Sequence, residues 1–262
     1  MYRELLELFQ INKGDCIYIS SDLIKLALMM KKEGIQFEPS VLLELFQDAV
    51  GMEGTLMLPT FCFDFCNEKK YDYCKSKGTS GVLGNIALER CGYNRTKHPM
   101  HSFAVWGKDA DLLCSMNNMH SFGNDSPFAY CKEKNVKQIM LGTDYRRSMS
   151  FIHYVETVCN VPYRFLKKFS GVYVVKEGEE VRTYEYAARR LDMGATEQFN
   201  RIGAILEQSH IAWKVNFNDY ICHQVRLGDS FEFIYNDIMK NQCRNIYDFN
   251  VSREKLFQGY GE

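Results

Sequence analysis

Apolar and polar positions follow two rhythms along this chain. Leu5, Leu6, Leu8, Phe9 and Ile11 recur at helical spacing and predict a short amphipathic helix over residues 2–12, broken by Asn12-Lys13-Gly14-Asp15. Residues 16–20 (CIYIS) read as a buried strand, and Ser20-Ser21-Asp22 supplies N-cap chemistry for a helix over 23–32. Pro39-Ser40 opens another helix, with Val41, Leu42, Leu45 and Phe46 on one face and Gly51 at its end. Residues 55–58 (TLML) form a second apolar strand, stopped by Pro59. Further strands are predicted over 103–106 and 136–141, and a helix over 148–159 after Gly142. Residues 172–175 and 181–186 flank Glu177-Gly178-Glu179-Glu180 as a β-hairpin. A helix follows over 196–208, and a last one starts near Asp229-Ser230 and carries Phe231, Phe233, Ile234 and Ile238. Between 60 and 80 aromatics, cysteines, lysines and acids mix without period, as in a long functional loop.

Short apolar strands separated by helices predict a layered α/β fold and not an antiparallel meander. The 262 residues are enough to bury a substantial core, and one domain over 1–262 is expected. Composition then excludes some functions. A net charge of −1 provides neither a basic nucleic-acid face nor an acidic tail. No apolar run approaches the ~18 residues that span a bilayer, and MYRELLELFQ lacks a signal-peptide core. The expected compartment is the cytoplasm, with no nucleic-acid or membrane partner. The ten cysteines include no Cys-x-x-Cys pair. Cys62, Cys66 and Cys74 lie closest together without an evident fourth ligand, so no metal is expected and the thiols read as reduced, packed groups.

Three runs carry candidate chemistry. Arg95-Thr96-Lys97-His98-Pro99-Met100-His101-Ser102 gathers histidines, cations and hydroxyls before a strand. It reads as a loop that holds phosphate or carbonyl oxygens, or equally as a surface turn nucleated by Pro99. In Gly123-Asn124-Asp125-Ser126-Pro127-Phe128, Asp125 or Ser126 is placed to cap a helix with Pro127 at its first position. Ser150, His153 and Glu156 share one face of the predicted helix over 148–159. A histidine beside a carboxylate is either a satisfied structural pair or a general base working near neutral pH.

In order and spacing these runs resemble the aminoglycoside N(3)-acetyltransferase family, also called the antibiotic N-acetyltransferase family. Gly14-Asp15 matches the approach to its first strand. Gly54-Thr55-Leu56-Met57-Leu58-Pro59-Thr60 is similar to its Gly-Thr-Leu-x-x-Pro-Thr block, and Arg95-Thr96-Lys97-His98-Pro99 with Ser102 to its Arg-Ser-x-His-Pro and following Ser. Ser126-Pro127 matches its Ser-Pro, and Ser150-Phe151-Ile152-His153-Tyr154-Val155-Glu156 its Thr-x-x-His-x-x-Glu. The resemblance spans roughly residues 3–240.

It implies a layered α/β/α architecture with a central mixed sheet, and acetyl-CoA as acyl donor. It implies that His153 is the catalytic base, oriented by Glu185 in the strand after the hairpin, with Asp192 and Glu156 as the other candidates. The donor is expected beside Ser21, Arg95, Thr96, His98, Ser102 and Ser126, with Arg95 or Lys97 near a phosphate. The aromatics Phe61, Phe63, Phe65, Tyr71 and Tyr73 of the long loop are expected to border the acceptor. That acceptor is an amine on an amino sugar or an aminoglycoside, and the chain a monomer or homodimer. Ser20-Ser21-Asp22-Leu23 stands where the family has His-Ser-Ser-Leu, which adds a carboxylate, and Trp213-Lys214-Val215-Asn216-Phe217-Asn218 replaces a slimmer glycine-bearing segment. Both departures, with the near-neutral charge, favour the amino sugar. Two other readings stay open: a non-catalytic CoA- or sugar-binding protein, and a cysteine-nucleophile acyltransferase.

Overall fold

Strand Cys16–Ser21 lies at the centre of a seven-stranded sheet in a computed structural model that describes residues 1–67 and 70–260. The strand order is Ala212–Phe217, Tyr220–Arg226, Lys137–Leu141, Cys16–Ser21, Thr55–Pro59, Phe103–Gly107 and Asn94–Arg95. The three middle strands are parallel, and the pairs on either side run antiparallel. This is the mixed sheet that the family resemblance implied.

Period-two alternation divides the core between the two faces. Ile17, Ile19, Leu56, Leu58, Ile139 and Leu141 point to one side, against helices Tyr2–Glu7, Ile24–Lys32, Pro39–Val50 and Leu83–Leu88. Tyr18, Met57 and Met140 point to the other, against Pro127–Glu133, Phe151–Cys159, Phe199–Gln208 and Leu227–Asn241. The layers are therefore α/β/α. Each fully buried Leu or Phe contributes about 1.5–3 kcal/mol, and both faces carry many.

Four features differ from the pattern reading. Strands Ala212–Phe217 and Tyr220–Arg226 escaped it; the first lies at the sheet edge, where its middle residues are only half-buried or exposed. Their turn is built on Asn218 and Asp219, both at positive φ (49° and 66°), residues that tolerate the left-handed region. The expected helix over 148–159 divides into Tyr145–Ser148 and Phe151–Cys159. The hairpin is longer than expected, with strands Arg164–Val175 and Gly178–Arg189. The long loop is partly ordered: Phe63–Asn67 makes a 3-10 turn, and Tyr71–Asp72 pairs in parallel with the hairpin, while residues 68–69 of that loop lie outside the described residues.

The hairpin and the loop enclose a third small core of Cys62, Phe65, Tyr71, Met100, Tyr173 and Tyr184. The ten cysteines are unpaired. Among the described residues no helix is long and apolar enough to cross a membrane.

Candidate active site

Parallel strands end together, and side chains just beyond their carboxyl ends form a crevice. Here Ser20-Ser21-Asp22, Pro59 with Phe61, and Thr143 lie at or just beyond the ends of the three parallel strands and line one cavity of about 780 Å³. Gly142 makes the last of these turns at φ 64°, where an added Cβ would sit 2.4 Å from the Asp22 carbonyl oxygen. Helix Ile24–Lys32 contributes Ile24 and Ala27, the end of the long loop contributes Thr79, Ser80, Gly81 and Val82, and the hairpin contributes Tyr186. Asp22 and Arg147 face the cavity with opposite charge.

His153 lies on the wall of this cavity, 17% exposed. Its helix is anchored by buried Phe151, Ile152, Tyr154 and Val155, and it ends at Asn160 in the left-handed region. Glu156, one turn on, is fully buried, and its Oε2 lies 2.8 Å from His153 Nδ1. The chain turns back immediately, so the residues that open the hairpin reach the same carboxylate. The Tyr163 hydroxyl donates to Glu156 Oε1 at 2.8 Å. Arg164 Nε makes a 2.7 Å ion-pair contact with Oε2, and Arg164 also donates to the Ala187 carbonyl (2.8 Å) and the Tyr247 hydroxyl (2.9 Å).

Burial raises the Glu156 pKa, but Arg164, His153 and Tyr163 outweigh it and hold the pKa down at about 2. His153 is pushed below 6.5 by burial first and then by the Arg164 charge, against the opposing pull of Glu156. Arg164 Nη2, a donor, also lies 2.9 Å from Nδ1, where it competes with the Glu156 carboxylate, an acceptor. The shorter contact is to the ionised Oε2, at 2.8 Å, and a lone pair on Nδ1 would be repelled by it, so we assign the ring proton to Nδ1. Nε2 then carries the free lone pair.

The other expected residues divide between cavity and scaffold. Ser21 lines the cavity. Arg95 is 4% exposed and donates to the Tyr71 hydroxyl (3.3 Å) and to the carbonyls of Tyr73 (3.1 Å) and Ser76 (2.6 Å). Its guanidinium is thus engaged inside the loop and not presented to a phosphate. Lys97 Nζ donates to the Ser115 carbonyl at 2.9 Å. Thr96 Oγ1 accepts from the Phe103 amide, and Ser102 Oγ joins Thr60, both fully inside the protein. Ser126 caps helix Pro127–Glu133, as its position before proline suggested.

His98 is 1% exposed, lies 3.2 Å from Ser121 Oγ, and is held at a pKa of about 3 chiefly by burial. None of Arg95, Thr96, His98, Ser102 or Ser126 lines the cavity.

The carboxylate on His153 is Glu156 and not Glu185. Glu185 Oε1 lies 3.3 Å from Lys168 Nζ, and its backbone pairs with Met119 and Ser121. Asp192 pairs with Arg190 on the surface. Of the loop aromatics, Phe61 and Phe63 reach the cavity, whereas Phe65 and Tyr71 are core and Tyr73 bonds the Arg95 carbonyl. Sequence reasoning missed Arg164 and Tyr163. The available signal was Glu156 itself, because a carboxylate on the apolar side of a helix needs a cation near it. Among the described residues no group of His, Cys, Asp or Glu is arranged for a metal.

A histidine that lines a cavity with one ring nitrogen held by a buried carboxylate is the arrangement a general base requires. The family model described as aminoglycoside 3-N-acetyltransferase matches residues 28–238. The chain belongs to that family. It is 22% identical over 225 residues to the SPbeta prophage-derived aminoglycoside N(3')-acetyltransferase-like protein YokD of Bacillus subtilis (strain 168), covering 76% of this chain and 79% of that one. The structure of AAC-IIIb in a binary complex with CoASH superposes with TM-score 0.76 at 17% identity, covering 92% of this chain and 95% of that chain. A sisomicin-bound AAC-VIa structure gives 0.75 at 17% identity, covering 90% and 95%.

Proposed function

We propose that this protein transfers the acetyl group of acetyl-CoA to an amino group of an amino sugar or aminoglycoside-like acceptor, as one domain. The observation that carries the reading is His153 on the cavity wall with Nδ1 held 2.8 Å from the ionised Glu156. An alkyl ammonium has a pKa near ~10.4, so the acceptor must lose a proton before or during attack. That first proton leaves to solvent, and His153 Nε2 takes the second from the neutral amine nitrogen as it attacks. The amine nitrogen bonds to the thioester carbonyl carbon, and the C–S bond then breaks. The proton passes from His153 to the leaving thiolate, giving amide and free CoA.

The donor assignment is supported by family membership and by the fold shared with a CoASH-bound relative. The cavity suits the acetyl and pantetheine part of the donor: it offers the hydroxyls of Ser20, Ser21, Thr79, Ser80 and Ser150 beside Phe37 and Phe61. Asp22 is the lone carboxylate among its lining residues, and Arg147 opposes it, which favours an acceptor with few amino groups over a polycation. No cysteine lines the cavity, so the thiol-nucleophile alternative gains no support.

The test is release of free CoA from acetyl-CoA in the presence of amino sugars, nucleotide-linked amino sugars and aminoglycosides. His153→Ala should lower kcat by about 10²–10⁴ with acetyl-CoA affinity retained. No release with any acceptor class, or near-wild-type turnover of the variant, would refute the reading.

A further inference from the structure

His101 lines the same cavity as His153 and has no part in the mechanism above. Its ring is 4% exposed and enclosed by aromatics: Phe122 at 4.6 Å, Phe61 at 4.8 Å, Phe63 at 5.3 Å, and Tyr186 stacked at 5.6 Å. Nδ1 is buried there without a hydrogen-bond partner. An unpaired polar atom in an apolar wall costs stability, and an aromatic hydrocarbon would fill the space without that cost. The ring's other nitrogen, Nε2, is the polar group it can offer to the cavity it lines.

Burial first, and then the nearby His98, His153, His120 and Arg164 charges, push the His101 pKa well below 6.5. The imidazole is therefore neutral at physiological pH and carries one N–H. With that proton on Nε2, what stays buried at Nδ1 is a lone pair and not an N–H.

We propose that the Nε2–H of His101 donates a hydrogen bond to the thioester carbonyl oxygen and holds the oxyanion that forms on it. The inference rests on the acetyl-transfer reading. As the amine nitrogen bonds to the carbonyl carbon, the carbonyl π pair moves onto oxygen, where the N–H meets it. When the pair returns, the C–S bond breaks and its electrons leave with sulfur. No proton is exchanged with His101.

The two cavity histidines divide the work by environment. His153 has a carboxylate that stabilises its protonated form. His101 has none, so it stays a donor and does not compete for the proton. A donor fixed by its packing stabilises the developing charge without reorganising.

The experiment uses His101→Phe, which keeps a ring and removes the donor, and His101→Gln, which keeps an N–H. Acetyl-CoA labelled with ¹³C at the carbonyl should show its infrared C=O band shifted to lower frequency on binding the wild-type protein. His101→Phe should abolish that shift and lower kcat by about 10²–10³ with acetyl-CoA affinity near wild type. His101→Gln should recover part of both.

A band shift that survives in a folded His101→Phe variant, or unchanged kcat, overturns the proposal. A wild-type protein that binds acetyl-CoA and turns it over with no band shift overturns this proposal alone. A wild-type protein that binds no acetyl-CoA overturns the functional reading and this proposal with it.

Discussion

Glu156→Gln isolates the charge behind the base with almost no change of shape. Three partners converge on this carboxylate within 2.8 Å: His153 Nδ1, the Tyr163 hydroxyl and Arg164 Nε. A glutamine oxygen can still accept from Nδ1, so the tautomer survives. The negative charge does not, and two effects follow.

First, Arg164 becomes a buried cation without its counter-ion, and breaking such a pair costs about 3–5 kcal/mol. Second, the imidazolium formed during proton transfer loses its stabilisation, which takes away part of a general-base contribution of about 10²–10⁴ in kcat. The pH profile separates these effects. Glu156 pulls the His153 pKa upward while burial and Arg164 pull it down. Removing Glu156 must therefore move the acid limb of kcat/KM to lower pH as the plateau falls. The assay is CoA release against pH at 10 °C, normalised to folded protein by circular dichroism, with Glu185→Gln as comparison. Glu185→Gln should leave both limb and plateau near wild type. An acid limb that rises in Glu156→Gln, or a larger kcat loss in Glu185→Gln, would refute the assignment of Glu156 as partner of the base.

Arg95→Ala should cost about 3 kcal/mol by leaving the Tyr73 and Ser76 carbonyls and the Tyr71 hydroxyl without their donor. Thermal denaturation should show the loss and calorimetric titration an unchanged acetyl-CoA affinity; weakened binding with intact stability would return Arg95 to the donor site. His98 and His101 have folded pKa values below the unfolded 6.5, so the unfolded chain binds protons first and stability falls as pH drops below 6.5. His98 contributes about 2 kcal/mol of loss between pH 6.5 and 5, at ~1.36 kcal/mol per pH unit, and His101 adds to it in the same direction. Urea denaturation should therefore show lower stability at pH 5.0 than at 7.5 by at least about 2 kcal/mol, and equal stabilities would refute the neutral, buried state of these rings.

The sequence by itself determined the layered α/β class, the main strands and the shared helix face of His153 and Glu156. These depend on contacts within a few residues: alternation along residues 16–21 and 55–59 sorts side chains between faces, and a spacing of three on a helix places His153 beside Glu156. The same reading recognised the loop over residues 95–102 but could not distinguish surface from interior. Packing beneath the hairpin turned Arg95, Thr96, His98 and Ser102 into scaffold and left His101 on the cavity.

Only the tertiary structure decided that Glu156 and not Glu185 contacts His153, because both carry the same chemistry and differ in the direction their strand or helix presents them. Only it brought Tyr247 to Arg164 across 83 residues of sequence. Periodicity records which face of an element is apolar. What lies opposite that face depends on how elements far apart in the chain pack together, and that decides whether a polar side chain serves the scaffold or the reaction.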